Sequence, residues 1–255
     1  KKISLREVRE FIKTYYVPSN MFLVFLGPRF NEAMKIAKKY FGDWNPTVKS
    51  AGMVDFSKYE NDIYPTLSSV KTISEVRSGI GQYHIAVAYP TETYLSKDAE
   101  ALDVLSRVLA HRIKRRLRDG NRKFNGGTYR ALSYTERTSM HGLIYFWFAS
   151  VDEKFIKYGE SIILEECQKI KETLITNEET EAIIENLYVQ YRDAMICSPA
   201  DLLEGIIDAA SNGDENLEMF LSYGDRLKKL TRGKLRAVAN KYFTDNYLRA
   251  TLSPK

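Results

Sequence analysis

Cysteine is scarce in this sequence, and so is histidine. The two cysteines, Cys167 and Cys197, lie in separate helical patterns; this argues against a disulfide framework and marks both as buried thiols. The three histidines, His84, His111 and His141, share no metal-ligand spacing with one another or with a cysteine, so they read as structural or surface residues. No serine stands in a G-x-S-x-G elbow and no glycine loop matches a phosphate cradle. The longest strongly apolar run, Leu143–Ala149, is far too short to span a bilayer. The chain opens on two lysines and passes straight into an amphipathic pattern, so no signal peptide is visible and a cytoplasmic location is expected. A net charge of +5 permits an acidic partner without demanding one.

What is present is a stretch that occurs twice. Its first copy is SLREVREFIKTYYVPSNMFLVFLG, from Ser4 to Gly27. Leu5, Val8, Phe11, Ile12 and Tyr15 recur at helical spacing and form one stripe. Ser4 and Glu7 make a capping box, and Pro18 ends the helix. Met21–Leu26, six apolar residues in a row, predicts a strand covered on both faces. The second copy, TRGKLRAVANKYFTDNYLRATLSP, closes the chain with the stripe Leu235, Val238, Ala239 and Tyr242 and a strand from Tyr247 to Leu252. Each copy has the form of the last helix and strand of a larger unit, so the first unit is expected to have lost its beginning.

Asn31–Phe41 predicts a helix capped by Asn31, with Ala33, Ile36, Ala37 and Tyr40 as its apolar face. From Trp44 to Pro65 the periodicity dissolves into a linker. The domain reading is therefore 1–45, a linker at 46–66, and a complete unit at 67–255. That unit opens with strands at Val70–Val76 and Gln82–Tyr89. Ser96 then caps a long helix with apolar Ala99, Leu102, Leu105, Leu109, Ile113 and Leu117. A strand at Thr128–Thr135, a turn at Glu136–Thr138 and a partner strand at Ser139–Ser150 make a hairpin. The remainder reads as helices, one opening on the Thr176/Glu179 capping box and one on Ser198-Pro199. A short helix is placed at Leu217–Tyr223. The order β-β-α-β-β-α-α-α-α-α-β implies an α+β fold, an antiparallel-rich mixed sheet with helices packed on one face.

The long helix ends in Arg112, Lys114, Arg115, Arg116 and Arg118, cations that suit a helix C-terminus. A basic nucleic-acid-binding module is a distant alternative, since the segment lacks interleaved aromatics and a recognition-helix signature. The acidic pairs Glu165-Glu166 and Glu178-Glu179 read as solvated faces. The turn RRLRDGNRKFNGGTYRALSY brings an arginine, two glycines and a tyrosine to a strand edge, where donors can hold a peptide carbonyl or the glycines can make an ordinary bulge.

Three stretches together resemble one family, the pitrilysin/insulinase zinc metallopeptidases, metallopeptidase family 16. It includes mitochondrial processing peptidases and the core proteins of the respiratory cytochrome complex. LREVREFIKTYYVPSNMFLVFLGPRFNEAMKIAKKYFGDW is similar to the segment closing that family's first half. QYHIAVAYPTETYLSKDAEALDVLSRVLAHRI is similar to the opening of its second half, and NEETEAI to the start of a late helix. The resemblance implies a duplicated half-unit whose first copy is truncated. It also implies that the zinc motif H-x-x-E-H lies outside this chain, which then holds no catalytic residue, no metal ligand and no cofactor, with zinc in the intact parent. The family's second half contributes a tyrosine and an arginine that grip substrate. Tyr129 in GGTY matches the tyrosine; the arginine is either Arg122, seven residues before it, or Arg118 at the helix end. The implied partners are a peptide substrate and the missing first half or a partner subunit, with a homo-oligomer possible and neither nucleic acid nor membrane expected. The alternative is a structural or regulatory subunit of the same family that never held zinc.

Overall fold

The computed structural model describes residues 3–44, 67–118, 128 and 130–255. The linker at 46–66 lies outside the described residues. The chain divides into two units, Lys1–Pro65 and Thr66–Lys255.

In the first unit, helix α1 spans Leu5–Tyr15 and begins on the expected capping box. The Glu7 N–H donates to Ser4 Oγ at 3.3 Å, and the Ser4 N–H donates to the Glu7 carboxylate at 2.7 Å. Tyr16 closes the helix, and Pro18 opens a 3₁₀ turn at Pro18–Asn20. Helix α2 spans Phe30–Phe41. It starts one residue earlier than expected, with Arg29 as its N-cap, so Asn31 lies inside the first turn. Of the predicted α2 face only Ala37 is buried; Ile36 and Tyr40 are exposed.

Met21–Leu26 corrects the sequence reading. The run is no strand, and its large side chains are exposed rather than covered on two faces. An apolar run encodes a preference for burial, but a strand also needs a neighbour to bond with. Among the described residues this run has none.

The second unit is a five-stranded sheet with order β1-β5-β2-β4-β3. The strands are β1 Lys71–Arg77, β2 Tyr83–Thr91, β3 Ala131–Arg137, β4 Gly142–Ser150 and β5 Leu248–Pro254. The β1–β5 pair is parallel and the others are antiparallel. Register sets the core. Ile85, Val87 and Tyr89 of β2 stand opposite Phe148, Phe146 and Ile144 of β4, and all six are buried. Helix α3, Ala99–Arg118, lays its predicted stripe over them; Leu102, Leu105 and Leu109 are fully buried.

Helices α4, Glu153–Glu172, and α9, Arg232–Tyr242, complete that layer. Gly159 lets α4 approach β4, because a Cβ there would run into the Phe148 ring. Cys167 is buried as expected, and burial pushes its thiol up to about 12. Cys197 is exposed, against expectation, at the end of helix α5, Asn177–Cys197.

Two boundaries move. The hairpin turn falls at Thr138–His141, where the Thr138 N–H donates to the His141 carbonyl at 2.7 Å. The expected turn at Glu136–Thr138 is therefore mostly strand. After helix α6, Pro199–Ser211, the single short helix expected is two, α7 Glu218–Leu221 and α8 Tyr223–Lys228, broken at Ser222.

The two copies of the repeat share their ends in detail. Helices α1 and α9 are both 11 residues long. Ser4 and Thr231 each cap through the side chain, and Tyr16 and Phe243 close with φ,ψ of −91°, 67° and −83°, 68°. Their stripes differ in environment. Leu235, Val238, Ala239 and Tyr242 are buried under the second unit's core, whereas Val8, Phe11 and Ile12 are exposed.

Candidate functional site

Arg122 and Tyr129 lie outside the described residues. Arg118 is the last residue of α3, and its side chain is not among those described.

The surroundings are described. Side chains of β3 alternate: Ser133, Thr135 and Arg137 face the helices, and Leu132, Tyr134 and Glu136 share the opposite, open face. Ser133 Oγ lies 2.6 Å from Ser106 Oγ of α3, which fixes that assignment. The open face carries an aromatic row. Tyr134 and Tyr145 stand directly opposite each other with ring centroids 5.2 Å apart. His84 stacks on Trp147 at 5.6 Å. Paired aromatics on one sheet face attract each other and leave a broad, half-exposed apolar surface.

On the helix side, Asp103 of α3 ties three elements together. Arg137 donates to both its oxygens, at 2.9 and 3.0 Å. Thr135 Oγ1 donates at 2.6 Å, and the Tyr223 hydroxyl at 3.0 Å. Burial works against the Arg137 charge, but the adjacent Asp103 outweighs it and raises the guanidinium pKa. Burial, then Asp103, also pushes the Tyr223 phenol up. Sequence reading missed this cluster; its one local signal is a carboxylate set among the apolar positions of α3.

The basic end of α3 is largely spoken for. Arg112 forks onto Glu179, with its Nε donating at 2.9 Å. Arg116 bridges Glu166 at 2.9 Å and Glu165 at 2.7 Å. These acids were expected to be solvated faces, yet Glu166 is buried. Burial pushes its carboxyl up, but bonds from Lys169 and Arg116 outweigh this and hold it below the usual range. Only Glu178 of the four is exposed and without such an ion pair among the described residues.

For zinc, the donor set does not fit. His84 lies on the open sheet face, His111 is exposed on α3 and His141 sits in the hairpin turn. Among the described residues no group of three or more histidine, cysteine, aspartate or glutamate side chains could hold a metal ion. Among them too, no helix is long and apolar enough to cross a membrane.

No curated protein sequence matches the chain. Solved structures do, at identities that speak to fold alone. A protease from Helicobacter pylori superposes with a TM-score of 0.83 at 20% identity, over 99% of this chain and 59% of its own. A peptidase M16 inactive domain from Pseudomonas fluorescens gives 0.74 at 16%, over 99% and 58%. The first half of the periplasmic protease PqqL from Escherichia coli gives 0.72 at 13%, over 99% and 55%. The chain thus spans less than two thirds of each of these structures. The α+β architecture, the mixed sheet with helices on one face, is theirs as well. Residues 2–187 match the family model described as the peptidase M16 inactive domain, so the chain belongs to that family, the non-catalytic C-terminal portion of pitrilysin/insulinase-type peptidases.

Proposed function

We propose that this chain helps to form the substrate chamber of a zinc metallopeptidase and positions peptide for hydrolysis by a catalytic half. In this reading residues 67–255 are the complete non-catalytic half, and residues 1–45 close the zinc-bearing half. The catalytic half is supplied by the same parent polypeptide or by a partner subunit. Zinc, bound there, would activate a water molecule. This chain's own contribution is the aromatic open face of its sheet, as chamber wall, and a grip on substrate by Tyr129 with Arg122 or Arg118. The phenol donates to a substrate carbonyl, and the arginine adds a charge-assisted bond.

The observation that carries this reading is the unequal burial of the two repeats. Helices with matching caps carry matching stripes, and α9 has its cover while the α1 stripe is bare, Phe11 being 55% exposed. In the second unit that cover comes from α3 and α4. A cover of the same kind, from a zinc-bearing half, would bury the α1 stripe.

The test is turnover in the assembly that carries the H-x-x-E-H motif. Tyr129→Phe removes one donor and leaves the ring. It should lower kcat by about 10-fold to 100-fold, the equivalent of one hydrogen bond to a group that gains charge, with an unchanged melting temperature. Unchanged kcat/KM in Tyr129→Phe, Arg122→Ala and Arg118→Ala alike would rule out the grip. A parent without the zinc motif would instead make this chain a structural or regulatory subunit.

A further inference from the structure

On the helix side of the sheet a cleft of about 550 Å³ opens between α3, α5, α7 and α8. Its volume is that of a small-molecule pocket, roughly 300–1,000 Å³. Ala99 and Arg107, both on its wall, are about two turns apart on α3, so it runs along roughly 12 Å of that helix. Three half-buried rings line it: Tyr191 of α5, Phe220 of α7 and Tyr223 of α8. The Tyr191 ring lies 6.3 Å from Phe220 and 5.4 Å from Tyr223 between centroids, so the three make one continuous wall. Each is held from behind. The Tyr191 hydroxyl donates to the Leu221 carbonyl at 2.8 Å, and the Tyr223 hydroxyl to Asp103 at 3.0 Å. Phe220 packs so close to Gly205 of α6 that a Cβ there would strike the ring. A wall fixed before a ligand arrives loses little entropy when one binds.

The charges that line the cleft do not balance. Its acids are Glu100 and Asp103; its cations are Arg107, Arg137 and Arg226. Arg137 donates to both oxygens of Asp103, and Arg226 is paired with Glu100. Arg107 has no acid partner among the described residues, and its guanidinium donates to the Gln190 side-chain carbonyl at 3.3 Å. A guanidinium carries five donors, so that bond leaves most of the fork open. An entering anion meets one free cation. An entering cation meets two carboxylates that are already taken.

We propose that this cleft is a binding site for a small aromatic monocarboxylate, its ring against the aromatic wall and its carboxylate on Arg107. Ring stacking supplies the apolar part of the affinity, and the charge-assisted bonds of the guanidinium fork orient the acid. The cleft matches one ring and one negative charge. A neutral analogue forgoes the ion pair, and an amine sets a second cation beside Arg107. The site lies on the helix side of the sheet, opposite the aromatic open face. It uses neither Tyr129 nor the zinc-bearing half, and goes beyond the function proposed above.

Ligand-detected NMR titration tests it with the 255-residue chain and 3-phenylpropanoate as probe. The acid should bind with a Kd of about 1 mM or below, as its size allows. Its neutral amide and the corresponding 3-phenylpropylamine should bind about threefold to tenfold more weakly, because Arg107 is exposed and its ion pair partly screened. Arg107→Gln should bring the acid down to the level of the amide and leave the melting temperature unchanged. Arg107 also borders a second, basic cleft beside α4, which Gln190 does not line. Gln190→Trp, at the exposed rim, should therefore obstruct the ring and weaken acid and amide alike. No saturable binding up to tens of millimolar acid would overturn the proposal, and so would equal affinity for acid, amide and amine. Acid binding that Arg107→Gln abolishes but Gln190→Trp leaves untouched would place the ligand outside this cleft and refute it as well.

Discussion

Asp98, just ahead of α3, is a keystone whose removal has a calculable effect. It accepts from Lys234 and Lys241 and from the Tyr242 hydroxyl at 3.1 Å, and so fastens the start of α3 to the closing helix α9. Its side chain is 8% exposed, while the two lysines are 43% and 48% exposed. A hydrogen bond to a charged group contributes about 1.5–3 kcal/mol, and the buried Tyr242 bond counts in full. The lysines stand half in water, so each is discounted to about 0.2–1 kcal/mol. Asp98→Ala should therefore cost about 2–5 kcal/mol. For a unit of this size that lowers the melting temperature by about 4–20 °C.

The pH dependence has a definite sign. Burial raises the Asp98 carboxyl, but bonds from Lys234, Lys241 and Tyr242 outweigh burial and hold it below the ordinary 3.8. A carboxyl depressed in the folded state contributes stability above its unfolded value, and that stability is lost as pH falls through the folded value. Scanning calorimetry should find the Asp98→Ala deficit in full at pH 7 and shrinking below about pH 3.8. A variant that melts with the wild type at pH 7, or a deficit that grows in acid, would refute the argument.

Two further substitutions probe the packing. Gly159→Ala drives a methyl into the Phe148 ring and should cost about 1–3 kcal/mol in urea unfolding; an unchanged midpoint would mean that α4 and β4 are not in close contact. Val238→Asp buries an unpaired charge at a site 1% exposed and should prevent folding. The matching Phe11→Asp should shift stability by no more than about 0.5 kcal/mol, yet abolish co-purification with a catalytic half. Equal damage from the two would contradict the bare-stripe reading.

The elements that could be read from sequence are those whose signals are local. Caps are local, and α1, α5 and α6 begin on Ser4, Thr176 and Ser198 as expected. Periodicity is local, and the stripe of α3 is the buried one. Met21–Leu26 failed because pairing is not local: the same kind of run in β2 has β4 and β5 on either side. The hairpin turn slipped because Arg137 is a strand residue whose charge is met by Asp103, a partner 34 positions away.

Tyr129, Arg122 and Arg118 were named through resemblance, since they have no spacing that chemistry demands. The Asp103 cluster was illegible for a different reason. Its members come from residues 34 and 120 positions away, and no sequence window spans both. The basic run shows how much this matters. Counted in sequence it is a cluster of cations that a polyanion could use. Folded, Arg112 and Arg116 are drawn off by acids on α4 and α5, and Arg107 turns to Gln190. Lys114 and Arg115 remain exposed on α3. Among the described residues of the run, these two cations give a far weaker counterion-release term than all four would. Partner assignment by packing, not composition, therefore decides how much of such a run stays free for a partner.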